Sequence, residues 1–84
     1  MLVREIWILT AYIMMNAELG SEKEVLEEIE RYPEVLESYV LYGVYDILVK
    51  VQVSDREELS RLVTRKVRGT DRIKNTITFI VIDE

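Results

Sequence analysis

Asp46, Thr76 and Thr78 are the polar side chains best placed to bind a ligand, because each lies in an otherwise apolar stretch. The two threonines stand two positions apart on one predicted strand, so both point from the same face. A carboxylate and two hydroxyls would suit a small zwitterion: Asp46 binds its ammonium group, and hydroxyls with backbone amides bind its carboxylate. The alternative is an ordinary strand edge, since threonine favours strands and aspartate is common after turns.

Catalytic chemistry has little support in the composition. The 84 residues include no cysteine and no histidine, which removes thiolate nucleophiles, zinc–thiolate sites and the commonest general base. The serines therefore have no histidine to activate them, and neighbouring acids such as Glu27 and Glu28 are typical of a solvated helix face. The three glycines serve turns or caps rather than a phosphate loop. We expect a binding protein that is not an enzyme and needs no cofactor or metal.

Length and charge predict one small domain over residues 1–84. Apolar residues make up 49% and charged residues 32%, which is too apolar for disorder and too charged for a membrane protein. The net charge of −5 repels phosphate backbones, so nucleic acid is not expected as a direct partner. The longest apolar run, 6–15, falls far short of the ~20 residues that span a bilayer. No membrane association is expected, and the predicted location is the cytoplasm.

The elements that would position these side chains follow the order β-α-β-β-α-β. Strands are predicted at Glu5–Asn16, Leu36–Tyr42, Tyr45–Val53 and Arg72–Ile82. Because only Gly43 and Val44 separate the middle two strands, they are expected to form a hairpin. This order is the split βαβ pattern of the ferredoxin-like fold, an α+β architecture in which two helices cover one face of a four-stranded antiparallel sheet.

Each predicted helix has a start and a stop signal. Ser21 with Glu24, and Ser54 with Glu57, have the spacing of a capping box. Pro33 is expected to end the first helix at Tyr32, and a left-handed Gly69 to end the second. The predicted core consists of the helix stripes and one face of the third strand: Val25, Leu26, Ile29, Tyr32, Leu59, Leu62, Val63, Val67, Tyr45, Ile47, Val49, Val51 and Val53.

The sheet face without helices would be polar in a monomer, yet its predicted residues are apolar. The first strand is apolar on both sides, with Ile6, Ile8, Tyr12 and Met14 on one and Trp7, Leu9, Ala11, Ile13 and Met15 on the other. Three further apolar residues are predicted to point away from the helices: Leu48, Ile80 and Ile82. Large apolar patches usually mark interfaces, so two chains are predicted to pack sheet to sheet.

The segment Glu34 to Val51, with Gly43-Val44-Tyr45-Asp46 at its centre, resembles the effector domain (RAM domain) of the Lrp/AsnC regulators. That family has a sequence motif of the type P-x-V-x-x-x-y-x-x-x-G-x-Y-D. Its last strand has a second motif of the type x-T-x-T-x-x-V, which Thr76 to Val81 matches. The resemblance runs from about Ala11 to Ile82.

The resemblance implies function as well as fold. Members of this family dimerise through their open sheets, assemble further into tetramers or octamers, and bind small amino-acid effectors between dimers near the Gly-x-Tyr-Asp turn. The carried-over effector-site residues are Gly43, Tyr45, Asp46, Thr76 and Thr78, with Tyr42 a looser neighbour. Full regulators carry an N-terminal helix-turn-helix, which this sequence lacks. A stand-alone effector domain is therefore expected, one that senses amino acids alone or co-assembles with a full-length relative.

Two other functions remain open at this point. The domain could be a purely structural oligomerisation module that binds no small molecule. It could also be a small dimeric α+β enzyme, such as the cofactor-free monooxygenases that share this fold. The lack of histidine and of any polar cavity in the pattern weighs against the enzyme.

Overall fold

The structure is a computed structural model that describes residues 8–82. Its elements are β1 (Leu9–Ala17), α1 (Glu22–Ile29), β2 (Val35–Val40), β3 (Ile47–Val53), α2 (Arg56–Arg61), a π-helical segment (Leu62–Val67) that continues α2, and β4 (Ile73–Ile80). The strand order is β2-β3-β1-β4, and all neighbouring strands are antiparallel. The predicted ferredoxin-like fold is confirmed. The predicted start of the first strand, with Ile6 and Trp7, lies outside the described residues.

The core lies between one face of the sheet and both helices, as predicted. Alternate residues of β1 and β3 are fully buried there, because successive strand residues point to opposite faces; they are Ala11, Ile13, Met15, Ile47, Val49 and Val51. Val25 and Ile29 of α1 pack on them, together with Leu59, Leu62 and Val67 from the second helical unit. Tyr45 lies before β3 rather than within it, so its predicted place on the core face of that strand is wrong.

The β2–β3 connection is longer than predicted. It spans 41–46, and the Leu41 N–H donates to the Asp46 carbonyl across its base at 2.6 Å. The hairpin itself is confirmed by the antiparallel pairing of β2 with β3. This loop contains Gly43, Tyr45 and Asp46, whose positions are therefore not set by the alternation of a strand.

The start of α1 differs from the prediction. The Ser21 hydroxyl donates to the Glu18 carbonyl at 2.6 Å, so it closes the preceding turn instead of capping the helix. Glu24 pairs with Arg72 at 2.6 Å, which occupies the other half of the predicted capping box. The helix also ends at Ile29 rather than Tyr32, because the following amides make turn-type bonds, such as Arg31 N–H to the Glu28 carbonyl.

The cap of α2 is real but shifted by one residue. Asp55, not Ser54, accepts from the Glu58 N–H, at 2.8 Å. The Glu58 carboxylate accepts in return from the Ser54 N–H at 2.6 Å and from the Ser54 hydroxyl at 2.7 Å. Asp55 and Glu58 therefore both accept hydrogen bonds at the start of the helix. Their negative charges near the first turn also interact favourably with the helix dipole.

The stability that Glu58 contributes is expected to depend on pH. Hydrogen bonds from the Ser54 N–H and hydroxyl lower the pKa of Glu58 below its ordinary 4.5. A carboxyl whose pKa is lower in the folded state stabilises fully above the unfolded-state pKa, and this stabilisation is lost as pH falls through the folded-state pKa. The free energy of unfolding of wild type should therefore exceed that of Glu58→Gln at neutral pH, and urea titrations should show the difference shrinking in acid. A difference that stays constant down to the acid limit, or one equally large for the neighbouring Glu57→Gln, would contradict the cap.

Gly69 is required for a reason other than the predicted left-handed conformation. Of the described residues, only Gly20 (φ +86°) and Arg72 (φ +73°) have positive φ. A Cβ on Gly69 would lie 2.5 Å from the Arg65 carbonyl oxygen, a backbone atom that the end of the π-helical segment places there. The close approach, rather than handedness, excludes a side chain.

Gly69→Ala is expected to destabilise the protein by about 1–3 kcal/mol, the usual cost of forcing an atom into occupied space. Gly43→Ala is the matched control, because a Cβ there meets nothing within 4 Å and should change stability by less than about 0.5 kcal/mol. Chemical denaturation of both variants measures the difference. Equal losses would show that the contact at Gly69 is not the cause.

Candidate functional site

The Asp46 carboxylate is held in a defined position at the end of β1. Its Oδ2 accepts from the Ala17 N–H at 3.0 Å and from Asn16 Nδ2 at 3.3 Å. The Asp46 N–H donates to the Met15 carbonyl at 3.0 Å, so backbone and side chain are both tied to the same strand. Its other oxygen, Oδ1, has no hydrogen-bond partner among residues 8–82. One oxygen is thus used for structure, and the other is available for a further contact.

Asn16 links the hairpin loop to β1. Its Nδ2 donates to the Val44 carbonyl at 2.8 Å as well as to Asp46. The register of β1 against β4 shifts between Asn16 and Ala17, where Lys74 of β4 has no partner in β1. On the other edge of β1, the bonds of Asn16 and Ala17 to Val44 and Asp46 hold the hairpin loop in place.

A cleft of about 640 Å³ opens beside this loop; we call it the hairpin cleft. Its lining consists of Glu22 from the first turn of α1 and of Val40, Leu41, Tyr42, Gly43, Val44 and Asp46 from β2 and the loop. Both charged residues of this lining are acidic, so the cleft favours a cationic group such as an ammonium. Its rim is apolar, since Tyr42 and Val44 are almost fully exposed.

The sequence-predicted site residues divide between different places. Asp46 and Gly43 line the hairpin cleft together with Tyr42, whereas Tyr45 is half-buried behind them. Thr76 pairs with Met15 on the opposite side of β1, so it lies about 10 Å from Asp46, two strand spacings away. Thr78 lies two pairs further along β4, opposite Ile13, and lines a separate groove beside α2. Neither threonine lines the hairpin cleft that Asp46 lines.

Two residues of the hairpin cleft were not identified from the sequence. Asn16 looks like the end of an apolar strand, and Glu22 looks like one of several exposed helix acids. The role of Asn16 depends on how the hairpin loop meets the end of β1, and that of Glu22 depends on how α1 approaches the loop. Neither arrangement has a signal in the sequence. Within residues 8–82, no group of acidic side chains is arranged to hold a metal ion. None of the described helices is long and apolar enough to cross a membrane.

The sheet face opposite the helices carries a row of partly exposed apolar side chains. We call it the open face: residues that pair directly across strands share a face, which places Tyr12, Met14, Tyr39, Leu48, Ile77 and Phe79 together on it. Tyr39 and Phe79, on the two edge strands β2 and β4, are 50% and 49% exposed. The apolar open face is as predicted.

One predicted member of the open face is on the other side. Ile80 pairs with Ala11 and packs against the core beneath the helices. The periodicity of β4 correctly separates Ile77 and Phe79 from Thr76, Thr78 and Ile80, but the prediction placed the set with Ile80 on the open face. The structure has that set on the helix side and Ile77 and Phe79 on the open face. Ile82 follows the end of β4 and is almost fully exposed.

Polar groups occupy the β2–β3 side of the open face. The ammonium group of Lys50 lies 5.9 Å from the Tyr12 ring centre, within cation–π range, and Lys50 pairs across strands with Glu37. The Tyr39 hydroxyl donates to Glu37 Oε1 at 2.8 Å, and this bond to a carboxylate is the main reason that the pKa of Tyr39 is raised. The open face is therefore apolar towards β4 and amphipathic towards β2.

Comparison with known proteins gives one consistent result. The family model for the Lrp/AsnC ligand binding domain matches residues 10–84. The uncharacterized HTH-type transcriptional regulator PH0140 of Pyrococcus horikoshii is 37% identical over 73 residues, which cover 87% of this chain and 46% of that protein. The chain spans about half the length of the curated relatives it matches.

Two solved structures show the same fold. The hypothetical protein PHS023 from Pyrococcus horikoshii superposes with a TM-score of 0.84 at 42% identity, covering 90% of this chain and 92% of that one. The transcriptional regulator NMB0573 of Neisseria meningitidis, solved as a complex with L-Met, superposes with a TM-score of 0.82 at 22% identity over 90% of this chain and 51% of that one. At 22% identity the second likeness shows the fold alone.

Proposed function

The chain belongs to the Lrp/AsnC ligand-binding domain family, and from that premise we propose that it binds a small amino acid at the hairpin cleft of an oligomer. The curated relatives it matches are transcriptional regulators. The proposed role is accordingly non-enzymatic: occupancy of the cleft changes how the domain assembles, alone or with a full-length regulator of the same family.

The observation that carries this proposal is the position of Asp46. Its Oδ2 is fixed by two donors of β1, and the residue lines a cleft of about 640 Å³. A preorganised carboxylate binds an ammonium group with little loss of side-chain entropy. Glu22 adds a second negative charge to the same lining, which strengthens the preference for a cationic group.

The hairpin cleft is only part of a binding site. It contains no cationic side chain within the described residues to bind the carboxylate of an amino acid, and its apolar rim at Tyr42 and Val44 faces solvent. A neighbouring chain placed over this rim would bury those side chains and supply the missing contacts. Thr76 and Thr78 are proposed to contribute in that way, from another subunit. The L-Met complex of the neisserial regulator is consistent with an amino-acid ligand for this fold.

Dimerisation through the open face is the second part of the proposal. The helices cover one side of the sheet, and a half-exposed aromatic and aliphatic row remains on the other. Burying such a row against its own copy is favourable at about 25 cal/mol per Å² of apolar area. Small domains commonly gain stability in this way. The proposed assembly is a dimer made through the open faces, with dimers joined at the hairpin clefts into tetramers or octamers.

The alternative function is an oligomerisation module without a ligand. A specific observation favours it: the contacts of Asp46 with Ala17 and Asn16 give this carboxylate a structural role, which would explain its presence without any effector. The two functions differ in one respect that is easily measured, which is whether a free amino acid stabilises the protein.

A denaturation screen with the twenty amino acids tests the proposal. A ligand at a hundred times its dissociation constant stabilises the native state by about 2.7 kcal/mol. One amino acid, or a few related ones, should therefore raise the midpoint of urea unfolding, and the others should not. A midpoint that none of the twenty changes, in a protein shown to be folded and oligomeric, would favour the structural module.

A further inference from the structure

A second concavity, of about 320 Å³, lies between the helical layer and β4; we call it the β4 groove. Its aliphatic lining is Leu59, Val63 and Ile80, and its polar lining includes Arg56, Ser60 and Thr78. It shares no lining residue with the hairpin cleft. The groove is thus a separate place at which this chain could bind a small molecule.

The shape of the β4 groove follows from the π-helical segment and the end of the sheet. In that segment the Arg68 N–H donates to the Val63 carbonyl, five residues earlier, at 2.8 Å, and this wider turn is the form of helix often found at functional sites. β4 is the outermost strand of the sheet. The helical layer therefore overhangs a strand that has no neighbour on its outer side within the described sheet.

The apolar side chains of the groove are held in place by their packing against the core. Leu59 is only 5% exposed, and Val63 and Ile80 are half-buried against the core. An aliphatic chain laid on these side chains would bury apolar area on both sides, which is favourable at about 25 cal/mol per Å². A volume near 300 Å³ is also at the lower end of the range for small-molecule sites.

The charge of the β4 groove is opposite to that of the hairpin cleft. Arg56 is the only charged residue in its lining, and the hydroxyls of Ser60 and Thr78 make no hydrogen bond within residues 8–82. The Thr64 hydroxyl, by contrast, donates to the Ser60 carbonyl at 2.7 Å. A guanidinium with two free hydroxyls suits a carboxylate, which accepts several hydrogen bonds.

We propose that the β4 groove binds a small aliphatic monocarboxylate, with Arg56 pairing its carboxylate and Leu59, Val63 and Ile80 packing its tail. An amino acid is disfavoured because the lining offers no carboxylate for its ammonium group. The site goes beyond the proposed amino-acid site, since it shares no lining residue with the hairpin cleft and its charge has the opposite sign. Thr78 is the one residue of the groove that is also proposed to contact an amino acid, in the cleft of another subunit.

Hexanoate, hexanol and hexylamine test this proposal, because they share one tail and differ in charge. In two-dimensional amide NMR spectra, hexanoate should shift the Leu59, Val63, Thr78 and Ile80 resonances saturably. Hexanol should do so more weakly, and hexylamine should not. Arg56→Gln should raise the dissociation constant of hexanoate about tenfold or more, because it removes a charge-assisted hydrogen bond. Ser60→Phe, at an exposed helix position, should block the groove while leaving the rest of the spectrum folded.

Arg65→Gln is the matched control, since Arg65 lies on the same helical layer but does not line the groove; it should bind hexanoate as wild type does. Asp46→Asn should also leave hexanoate binding unchanged, which separates this site from the hairpin cleft. The proposal is overturned if hexanoate gives no saturable shifts at these residues, if hexylamine shifts them equally, or if Arg56→Gln binds as tightly as wild type.

Discussion

Replacing Phe79 with glutamate is expected to turn the dimer into a monomer at micromolar concentration. Phe79 lies on the open face and is 49% exposed in the single chain. Full burial of a phenylalanine side chain contributes about 2–3 kcal/mol, so burying the exposed half contributes about 1–1.5 kcal/mol per chain, and a two-fold axis counts the change twice. A buried glutamate adds the cost of desolvating an unpaired charge. Together these terms should raise the dissociation constant of the dimer by about a thousandfold or more.

Sedimentation velocity of the variant and of its control measures this effect. The control is Leu19→Glu, the same kind of apolar-to-acidic change at a residue that is 99% exposed in the loop between β1 and α1. It should leave the dimer intact. A Phe79→Glu protein that sediments as wild type, or a wild type that is already monomeric, would contradict dimerisation through the open face.

Asp46→Ala is expected to destabilise the fold as well as remove the proposed ligand contact. The substitution leaves the Ala17 N–H and Asn16 Nδ2 without the acceptor that they share. Leaving a partly buried donor unsatisfied costs about 1–3 kcal/mol. Urea unfolding should show a loss in that range, accompanied by faster amide exchange in the loop 41–46.

Two further variants separate structure from binding at this position. Asp46→Asn keeps an oxygen that can accept from Ala17 but removes the charge, so it should recover most of the stability. Asn16→Ala removes the donors to Val44 and Asp46 and keeps the carboxylate, so it should weaken the loop without removing the ammonium contact. If Asp46→Ala were as stable as wild type, the structural role assigned to this carboxylate would be wrong.

The fold could be predicted from the sequence because its signals are local and repeated. Alternation along Ile47 to Val53 and the helical stripe at Val25 and Ile29 specify which residues meet in the core, and both are confirmed. The helix caps were predicted less well. Ser21 has the right spacing from Glu24, but a competing carbonyl at Glu18 takes its hydroxyl. Spacing alone does not show which of two nearby partners is closer.

The site could be predicted only in part, since it depends on long-range geometry. The Gly-x-Tyr-Asp turn directs attention to Asp46, and this residue lines a cleft in the structure. The threonines were grouped with it by the family pattern, yet β4 lies on the far side of β1 from the hairpin loop. Asn16 was missed because its role arises from bonds to Val44 and Asp46, which are 28 and 30 residues away in the sequence. Whether Thr76 and Thr78 join the site depends on a second chain.

Calorimetric titration of the protein with each of the twenty amino acids, for wild type beside Asp46→Asn, tests whether Asp46 is part of an amino-acid site. Wild type is expected to give saturable heat with one or a few amino acids. This heat should be lost in Asp46→Asn, while sedimentation shows that the variant is still oligomeric. If none of the twenty amino acids gives a heat of binding with the folded oligomer, or if both proteins give equal heat, an amino-acid site built on Asp46 would be contradicted.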